Sequence, residues 1–299
     1  MRKIAMVFLA LCALIGWGAQ AEGDLKIVCT DFPCYDFARQ TAGPEAEVTM
    51  LLKPGVEAHS YEPTPADILA IGRADLFVYI GGESDVWADN ILAGFDSNGP
   101  QVLRMMDCVE TLIEEESDAA DHAPEYDEHI WTSPRNAVRM VSALGQALAD
   151  IDPENAARYV ENADNYVGTI SDIDRRLSTL VDGAARKTLV FADRFPFVYL
   201  TRDYGLDYLA AFPSCTADTE PSAQILRSLI DRVQNEQIPV VYTIELSTQS
   251  IARTVAEETG AGIMTLHSMQ TLSQADFDAG KTYASIMEEN LEALKAGLY

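Results

Sequence analysis

The sequence predicts an α/β protein of two lobes, each organised around a parallel sheet, joined by one long rigid helix. Short apolar runs of strand type alternate with helical segments near both ends of the chain. That alternation is typical of parallel sheets with helices on both faces. Between these regions lies a long stretch of helical apolar spacing, which predicts the connecting helix.

The first lobe is expected to alternate strands and helices. Apolar runs predict strands at 24–30, 47–52, 75–80 and 101–104. Helices are predicted at 34–41, from 64 onward and at 85–92. The Thr64-Pro65 pair marks a helix start, because threonine caps the first turn and proline fits the first helical position.

The connecting helix follows a shorter helix that runs from Ser133-Pro134 to about residue 150. It is expected to open at Asp152-Pro153 and to end near Val181. Its apolar residues recur at helical spacing, at Ala156, Val160, Ala163, Val167, Ile170, Leu177 and Val181. At 1.5 Å per residue this helix would be roughly 43 Å long, long enough to act as a spine between two lobes.

Alternation resumes in the second lobe. Strands are predicted at 188–191, 207–211, 239–244 and 262–266, with helices at 196–204, 221–236, 248–259 and 283–296. The expected domains are a signal peptide at 1–21, a first lobe at 22–150, the linking helix at 151–183 and a second lobe at 184–299.

The N-terminus predicts export. Arg2 and Lys3 precede a mostly apolar run at 4–17, which is too short to span a bilayer comfortably. Ala19-Gln20-Ala21 then gives the small-x-small pattern of a cleavage site before Glu22. We therefore expect a protein of the periplasm or the outer cell surface.

Cysteine usage fits export without specifying a bonding pattern. The mature chain would keep Cys29, Cys34, Cys108 and Cys215, which allow three complete pairings. Lipid anchoring through Cys12 is disfavoured, because Leu11 precedes it where a small residue is usual and the apolar run before it is short.

The formal net charge of −26 argues against nucleic acid as a partner, because an acidic surface repels phosphates. An acidic, apolar-poor stretch at 114–128 is interpreted as a solvated loop, and His122 within it as a surface residue. We expect a monomer.

Histidines are the scarcest chemistry-bearing residues, since the chain has four. His59 lies in a loop that leads into a helix, His129 stands just before a helix, and His267 follows a strand. In open parallel sheets, ligands bind beyond the carboxyl ends of the strands. These three imidazoles are therefore expected to meet in a cleft between the lobes.

Two carboxylates follow strands of the second lobe and are candidate additional ligands, Asp193 and Glu245. The alternatives are that Asp193 only pairs with Arg194 and that Glu245 caps the helix near Ser247. Three imidazoles with one carboxylate suit Zn²⁺, with Mn²⁺ as the second candidate.

Several segments resemble the zinc/manganese substrate-binding proteins of bacterial ABC importers. They are Val28-Cys29-Thr30, the stretch from Leu52 to Ala74 around His59-Ser60-Tyr61-Glu62-Pro63-Thr64-Pro65, Asp127-Glu128-His129-Ile130-Trp131 and Phe191-Ala192-Asp193-Arg194-Phe195-Pro196-Phe197. The resemblance implies two α/β lobes bridged by a long helix, a metal in the cleft, and delivery to a membrane permease powered by a separate ATPase.

The resemblance also marks departures. It places Ala192 where the family usually carries a histidine or glutamate, and His267 where the family carries a late aspartate. The implied set is His59, His129 and His267, completed by Asp193, Glu245 or water.

Three functions are compatible with these features. The leading hypothesis is a non-enzymatic, exported protein that captures a metal for uptake. The alternative is a secreted zinc-dependent hydrolase, with Glu245 as the base beside an open coordination position. A surface adhesin is the third hypothesis.

Overall fold

The structure is a computed structural model that describes residues 25–95, 99–111, 126–212 and 221–299. It contains two four-stranded parallel sheets, of order β2-β1-β3-β4 and β6-β5-β7-β8. The strands are β1 Leu25–Cys29, β2 Ala46–Met50, β3 Leu76–Tyr79, β4 Gln101–Arg104, β5 Thr188–Phe191, β6 Asp207–Ala210, β7 Val240–Thr243 and β8 Gly262–Thr265. These strands confirm the predicted two-lobe parallel architecture.

Ten α-helices connect the strands within the described ranges. They are α1 Phe32–Ala42, α2 Pro65–Ile71, α3 Val86–Leu92, α4 Pro134–Ile151, α5 Ala156–Asp182, α6 Val198–Tyr204, α7 Ala223–Glu236, α8 Ser250–Thr259, α9 Gln274–Asp278 and α10 Tyr283–Leu298. The short helix α9 was not predicted from the sequence. Among the described residues, no helix has both the length and the apolar character needed to cross a membrane.

Capping side chains begin the helices of the first lobe. The side chain of Asp31 accepts a hydrogen bond from the Cys34 amide at the start of α1. Thr64 and Asp67 form a reciprocal capping box at the start of α2, which confirms the helix start predicted from Thr64-Pro65. Such caps satisfy backbone donors that have no partner inside the helix.

The connecting helix α5 has 27 residues and is therefore about 40 Å long. It begins at Ala156, later than predicted, because residues 153–155 form a turn before it. The side chain of Asp152 accepts hydrogen bonds from Asn155 of that turn and from the Tyr159 hydroxyl of α5. Helix α4 packs closely along it. A Cβ at Gly145 would lie 2.6 Å from the Cβ of Ala163, so glycine is what permits this approach.

One buried carboxylate joins three helices that are distant in sequence. Asp36 of α1 has no exposed surface. It accepts a hydrogen bond from the Tyr166 hydroxyl of α5 at 2.6 Å and from the Tyr283 amide at the start of α10 at 2.8 Å. Arg39 also donates to Asp36, at 2.7 Å. The first lobe, the connecting helix and the C-terminal helix therefore meet at a single side chain.

A second contact lies beside the cleft. The indole nitrogen of buried Trp131 donates to the Ser268 carbonyl at 2.7 Å, and the Tyr283 hydroxyl donates to the Trp131 carbonyl at 2.9 Å. These bonds hold a loop of the second lobe against the segment that follows His129. The loops after the strands of both lobes consequently face each other.

Some predictions concern residues outside the described ranges. They are the signal peptide with Cys12, most of the acidic loop with His122, and Cys215. Within the described ranges, Cys29, Cys34 and Cys108 are free thiols. The domain bounds stay a prediction.

Replacing Asp36 with asparagine is expected to lower the free energy of unfolding by about 2–4 kcal/mol, because a buried, charge-assisted network loses its acceptor charge. Urea unfolding of the metal-free protein measures the change. Asp164→Asn is the matched control, since Asp164 is exposed on α5 and surface changes usually stay within about 0.5 kcal/mol. Equal stability of the two variants would contradict the assigned role of Asp36.

Candidate metal site

Three potential ligands from the first lobe converge at the cleft. One ligand atom from each of His59, Glu128 and His129 lies within 4.8 Å of the other two. The two imidazole ring centres are 5.9 Å apart, and the Nε2 atom of His59 is 3.5 Å from Oε1 of Glu128. The structure thus brings together two of the three predicted histidines.

Local structure presents each imidazole. His59 lies in a 3₁₀ turn, Ala58–Ser60, between β2 and α2. The loop before it is anchored to the second lobe, because the Gly55 amide donates to the Leu272 carbonyl at 2.7 Å. His129 precedes the 3₁₀ turn Ile130–Thr132. The Thr132 hydroxyl donates to the His129 carbonyl at 2.8 Å.

An acidic residue two positions earlier contacts Nδ1 of each imidazole. Oε1 of Glu57 is 3.1 Å from Nδ1 of His59, and Oδ1 of Asp127 is 3.2 Å from Nδ1 of His129. A carboxylate at Nδ1 favours the proton there and leaves the Nε2 lone pair for a metal. The hydrogen bond with His59 and the charge of Arg194 lower the pKa of Glu57 to about 2, against an opposing effect of burial.

Glu128 is the ligand candidate that the sequence reasoning missed. It is 6% exposed and accepts hydrogen bonds from the backbone amide of Ser84, at 2.8 Å, and from the Ser84 hydroxyl. Gly82 makes room for it, because a Cβ there would lie 2.7 Å from the Glu128 side chain. The signal available in the sequence was its place directly before His129 in the Asp127-Glu128-His129 segment.

A small open cavity adjoins Glu128, at the carboxyl ends of the first-lobe strands. Asp31 and Asp85 line it and are both buried. Burial raises the pKa of Asp31 to about 7, with a further contribution from the charge of Glu128. Burial also raises the pKa of Asp85 well above its usual range, with a contribution from Asp31. Both shifts favour the protonated, neutral forms of these carboxyl groups, which limits the electrostatic repulsion behind Glu128.

His267 and Glu245 contact each other on the second-lobe wall and lie outside the three-residue cluster. Nδ1 of His267 accepts a hydrogen bond from the Met269 amide at 2.9 Å and is 3.5 Å from Oε2 of Glu245. Both carboxylate oxygens of Glu245 accept from Ser268, one from its amide and one from its hydroxyl. Glu245 thus fixes the loop that carries His267.

Asp193 also lies outside the cluster. Its carboxylate accepts hydrogen bonds from the Arg194 amide at 2.9 Å and from the Ile244 amide at 3.4 Å, which makes it a loop-positioning residue. Ala192 is 2% exposed and packs in an apolar cluster of the second lobe. The position at which the resemblance implies a missing ligand is therefore buried among apolar side chains.

Arg194 reaches the cleft from the second lobe. Nη1 of Arg194 donates to Oε2 of Glu57 at 3.1 Å across the lobes. The side-chain nitrogen Nε2 of Gln270, also from the second lobe, lies 3.5 Å from Nδ1 of His59. The second lobe therefore contacts His59 directly and through Glu57.

The chain matches a known family over nearly its whole length. The family model described as "ZnuA: Zinc-uptake complex component A periplasmic" matches residues 27–297. The chain belongs to this family. The chain is 31% identical over 290 residues to the high-affinity zinc uptake system protein ZnuA of Bacillus subtilis. That alignment covers 94% of this chain and 90% of the Bacillus protein.

Longer relatives extend beyond the matched region. The chain is 32% identical over 306 residues to the zinc-binding lipoprotein AdcA of Streptococcus pneumoniae, covering 99% of this chain but 61% of AdcA. The solved Zn(II)-bound ZnuA-like domain of that AdcA matches with a TM-score of 0.78 at 30% identity, covering 92% of this chain and 99% of the domain. These matches confirm the fold and the family resemblance.

Glu128→Gln is expected to weaken Zn²⁺ binding by at least about tenfold, because a neutral amide replaces an anionic ligand at the centre of the cluster. Competition titration against a chelator of known affinity measures the change. Glu83→Gln removes the same charge from an exposed position one residue from Ser84 and should bind like the wild type. Equal affinities for the two variants would remove Glu128 from the ligand set.

Asp31→Asn is expected to change how stability depends on pH. The pKa of Asp31 is raised to about 7 in the folded protein, against about 3.9 for unfolded aspartate. Through this group, wild-type stability is greatest below pH about 4 and falls as the pH rises through about 7. Asparagine keeps an acceptor for the Cys34 amide but does not titrate.

The metal-free Asp31→Asn variant should therefore gain stability relative to the wild type between pH 4.5 and pH 8. Urea unfolding at both pH values measures this difference, with Asp164→Asn as the exposed control. A stability difference that is the same at both pH values would show that Asp31 does not titrate as assigned.

Proposed function

We propose that this protein is exported, captures Zn²⁺ in the cleft between its lobes, and delivers it to the permease of an ABC importer. Mn²⁺ is the second candidate cargo. The convergence of His59, Glu128 and His129 is the observation that carries the proposal. Membership of a zinc-uptake family and the zinc-binding descriptions of the relatives support it.

The donor chemistry favours zinc. Two imidazole nitrogens and one carboxylate oxygen form a three-ligand set that Zn²⁺ accepts readily, leaving a fourth tetrahedral position. We infer that His267 fills this position. Its Nε2 atom can bind a metal only when the ring proton is on Nδ1, where Oε2 of Glu245 is the nearby acceptor. In that state the Met269 amide must give up its bond to Nδ1.

Binding without reaction agrees with these contacts better than hydrolysis. A hydrolase with Glu245 as base would need a free carboxylate beside an activated water. Both oxygens of Glu245 instead accept hydrogen bonds from Ser268. The family is that of an uptake component. The adhesin hypothesis has no specific contact in its favour.

Small lobe adjustments are expected to accompany capture. Asp36 joins the first lobe to α5 and α10, and Trp131 joins it to the Ser268 loop. These buried bonds oppose a wide hinge opening. Release of the ion to a permease then requires only local displacement of the cleft loops.

The wild-type protein should bind one equivalent of Zn²⁺, and His59→Ala and His129→Ala should each bind at least about tenfold more weakly. Isothermal titration after removal of bound metal measures both quantities. His122→Ala is the control and should bind like the wild type. His267→Ala should also weaken binding if His267 is the fourth ligand.

The function fails if the metal-free wild type binds no zinc, or if His59→Ala and His129→Ala bind it as tightly as the wild type does. Hydrolysis of ester or phosphate substrates by the zinc-loaded protein would instead revive the enzyme hypothesis.

A further inference from the structure

The carboxylate of Glu57 joins a candidate metal ligand to the opposite lobe. We propose that Glu57 and Arg194 act together as positioning residues, forming an inter-lobe latch that holds the proton on Nδ1 of His59 and thereby sets the affinity of the cleft for metal. The inference rests on the proposed metal-binding function. It adds two residues to that site, neither of which is in the ligand cluster.

The geometry of Glu57 is that of a bridge. Its Oε1 atom lies 3.1 Å from Nδ1 of His59, and its Oε2 atom accepts from Nη1 of Arg194 at 3.1 Å. His59 belongs to the loop between β2 and α2, whereas Arg194 follows β5 in the second lobe. Each carboxylate oxygen therefore contacts a different lobe of the protein.

This bridge selects the form of the imidazole that can bind metal. A neutral imidazole carries one N–H, so a proton on Nδ1 leaves the lone pair on Nε2. Nε2 of His59 is the atom that faces Glu128, at 3.5 Å. An ion between these two atoms completes a carboxylate–histidine–metal arrangement, in which the carboxylate orients the ring and raises its basicity.

Gln270 is the competing partner of Nδ1. Its Nε2 atom lies 3.5 Å from Nδ1, at the outer limit of a hydrogen bond. Glu57 is nearer and carries a charge, and charge-assisted bonds are about twice as strong as neutral ones. The carboxylate therefore decides the proton position, and Gln270 packs beside it.

The effect on affinity must come through His59 rather than from the ion pair itself. The side chains of Arg194 and Glu57 are 30% and 43% exposed, and solvent-exposed pairs contribute little stability. What Arg194 supplies is a fixed position for the carboxylate. Because Arg194 belongs to the second lobe, separating the lobes would free Glu57 and weaken the hold on His59. By linkage, metal binding at His59 favours the closed contact.

The test measures Zn²⁺ affinity by chelator competition in a set of matched variants. Glu57→Ala should weaken binding by about 10- to 100-fold, and Glu57→Gln by less, because its amide oxygen still accepts a bond. Arg194→Ala should weaken binding less than Glu57→Ala, and Arg194→Lys should restore part of the loss. Glu62→Ala removes an exposed carboxylate from the same loop and should bind like the wild type.

A double-mutant cycle separates the latch from a general structural effect. In a His59→Ala background, Glu57→Ala should cause no further loss of zinc affinity, because Glu57 acts through that ring. Nitrogen NMR of the metal-free protein gives a second readout. The His59 signals, assigned by their loss in His59→Ala, should show the proton on Nδ1 in the wild type and a shift toward Nε2 in Glu57→Ala.

The outcomes separate the latch from the function. Zinc binding by the wild type with equal affinities for Glu57→Ala and Glu62→Ala overturns the latch and leaves metal capture intact. Further loss in the His59→Ala background overturns it too, because Glu57 would then act on its own. If the wild type binds no zinc, the function fails, and the NMR comparison still shows whether Glu57 controls the His59 proton.

Discussion

The buried carboxylate of Asp36 is the contact on which the arrangement of the lobes depends. It receives hydrogen bonds from α5 and from the first residue of α10, so three helices from distant parts of the chain share one acceptor. A buried charge is tolerable only when it is fully hydrogen-bonded. That requirement makes the geometry specific, because a shift of any of the three helices leaves the carboxylate short of donors.

With the lobes held in this arrangement, the loops at the ends of their strands lie close together. The side chains on those loops form the candidate metal site. His59 and His129 each have an acidic residue two positions earlier that contacts the Nδ1 atom. Glu128 contributes an anionic oxygen beside both rings. Asp31 and Asp85 lie behind Glu128, where burial raises the pKa of both carboxyl groups. These shifts favour neutral Asp31 and Asp85, so Glu128 is the anionic side chain that this wall presents to a divalent cation.

The sequence was sufficient for the two-lobe fold, since strand and helix periods are local properties and the Thr64-Pro65 pair is a local signal of a helix start. The convergence of His59 and His129 was also predictable. His59 lies in a loop that leads into a helix and His129 stands just before a helix, and ligands in open parallel sheets bind beyond the carboxyl ends of the strands. Glu128 was missed, because its role depends on the space left by Gly82 and on bonds from Ser84, 44 positions away in sequence. The positions of Asp193 and Glu245 depend likewise on long-range bonds to backbone amides.

An anomalous difference map at the zinc edge, from crystals of the zinc-loaded protein, tests whether the three side chains share one ion. We expect one peak in the cleft, about 2.0–2.1 Å from Nε2 of His59 and of His129, and about 2.0–2.2 Å from an oxygen of Glu128. A zinc peak elsewhere, or a cleft in which these three side chains do not share one ion, would contradict this expectation.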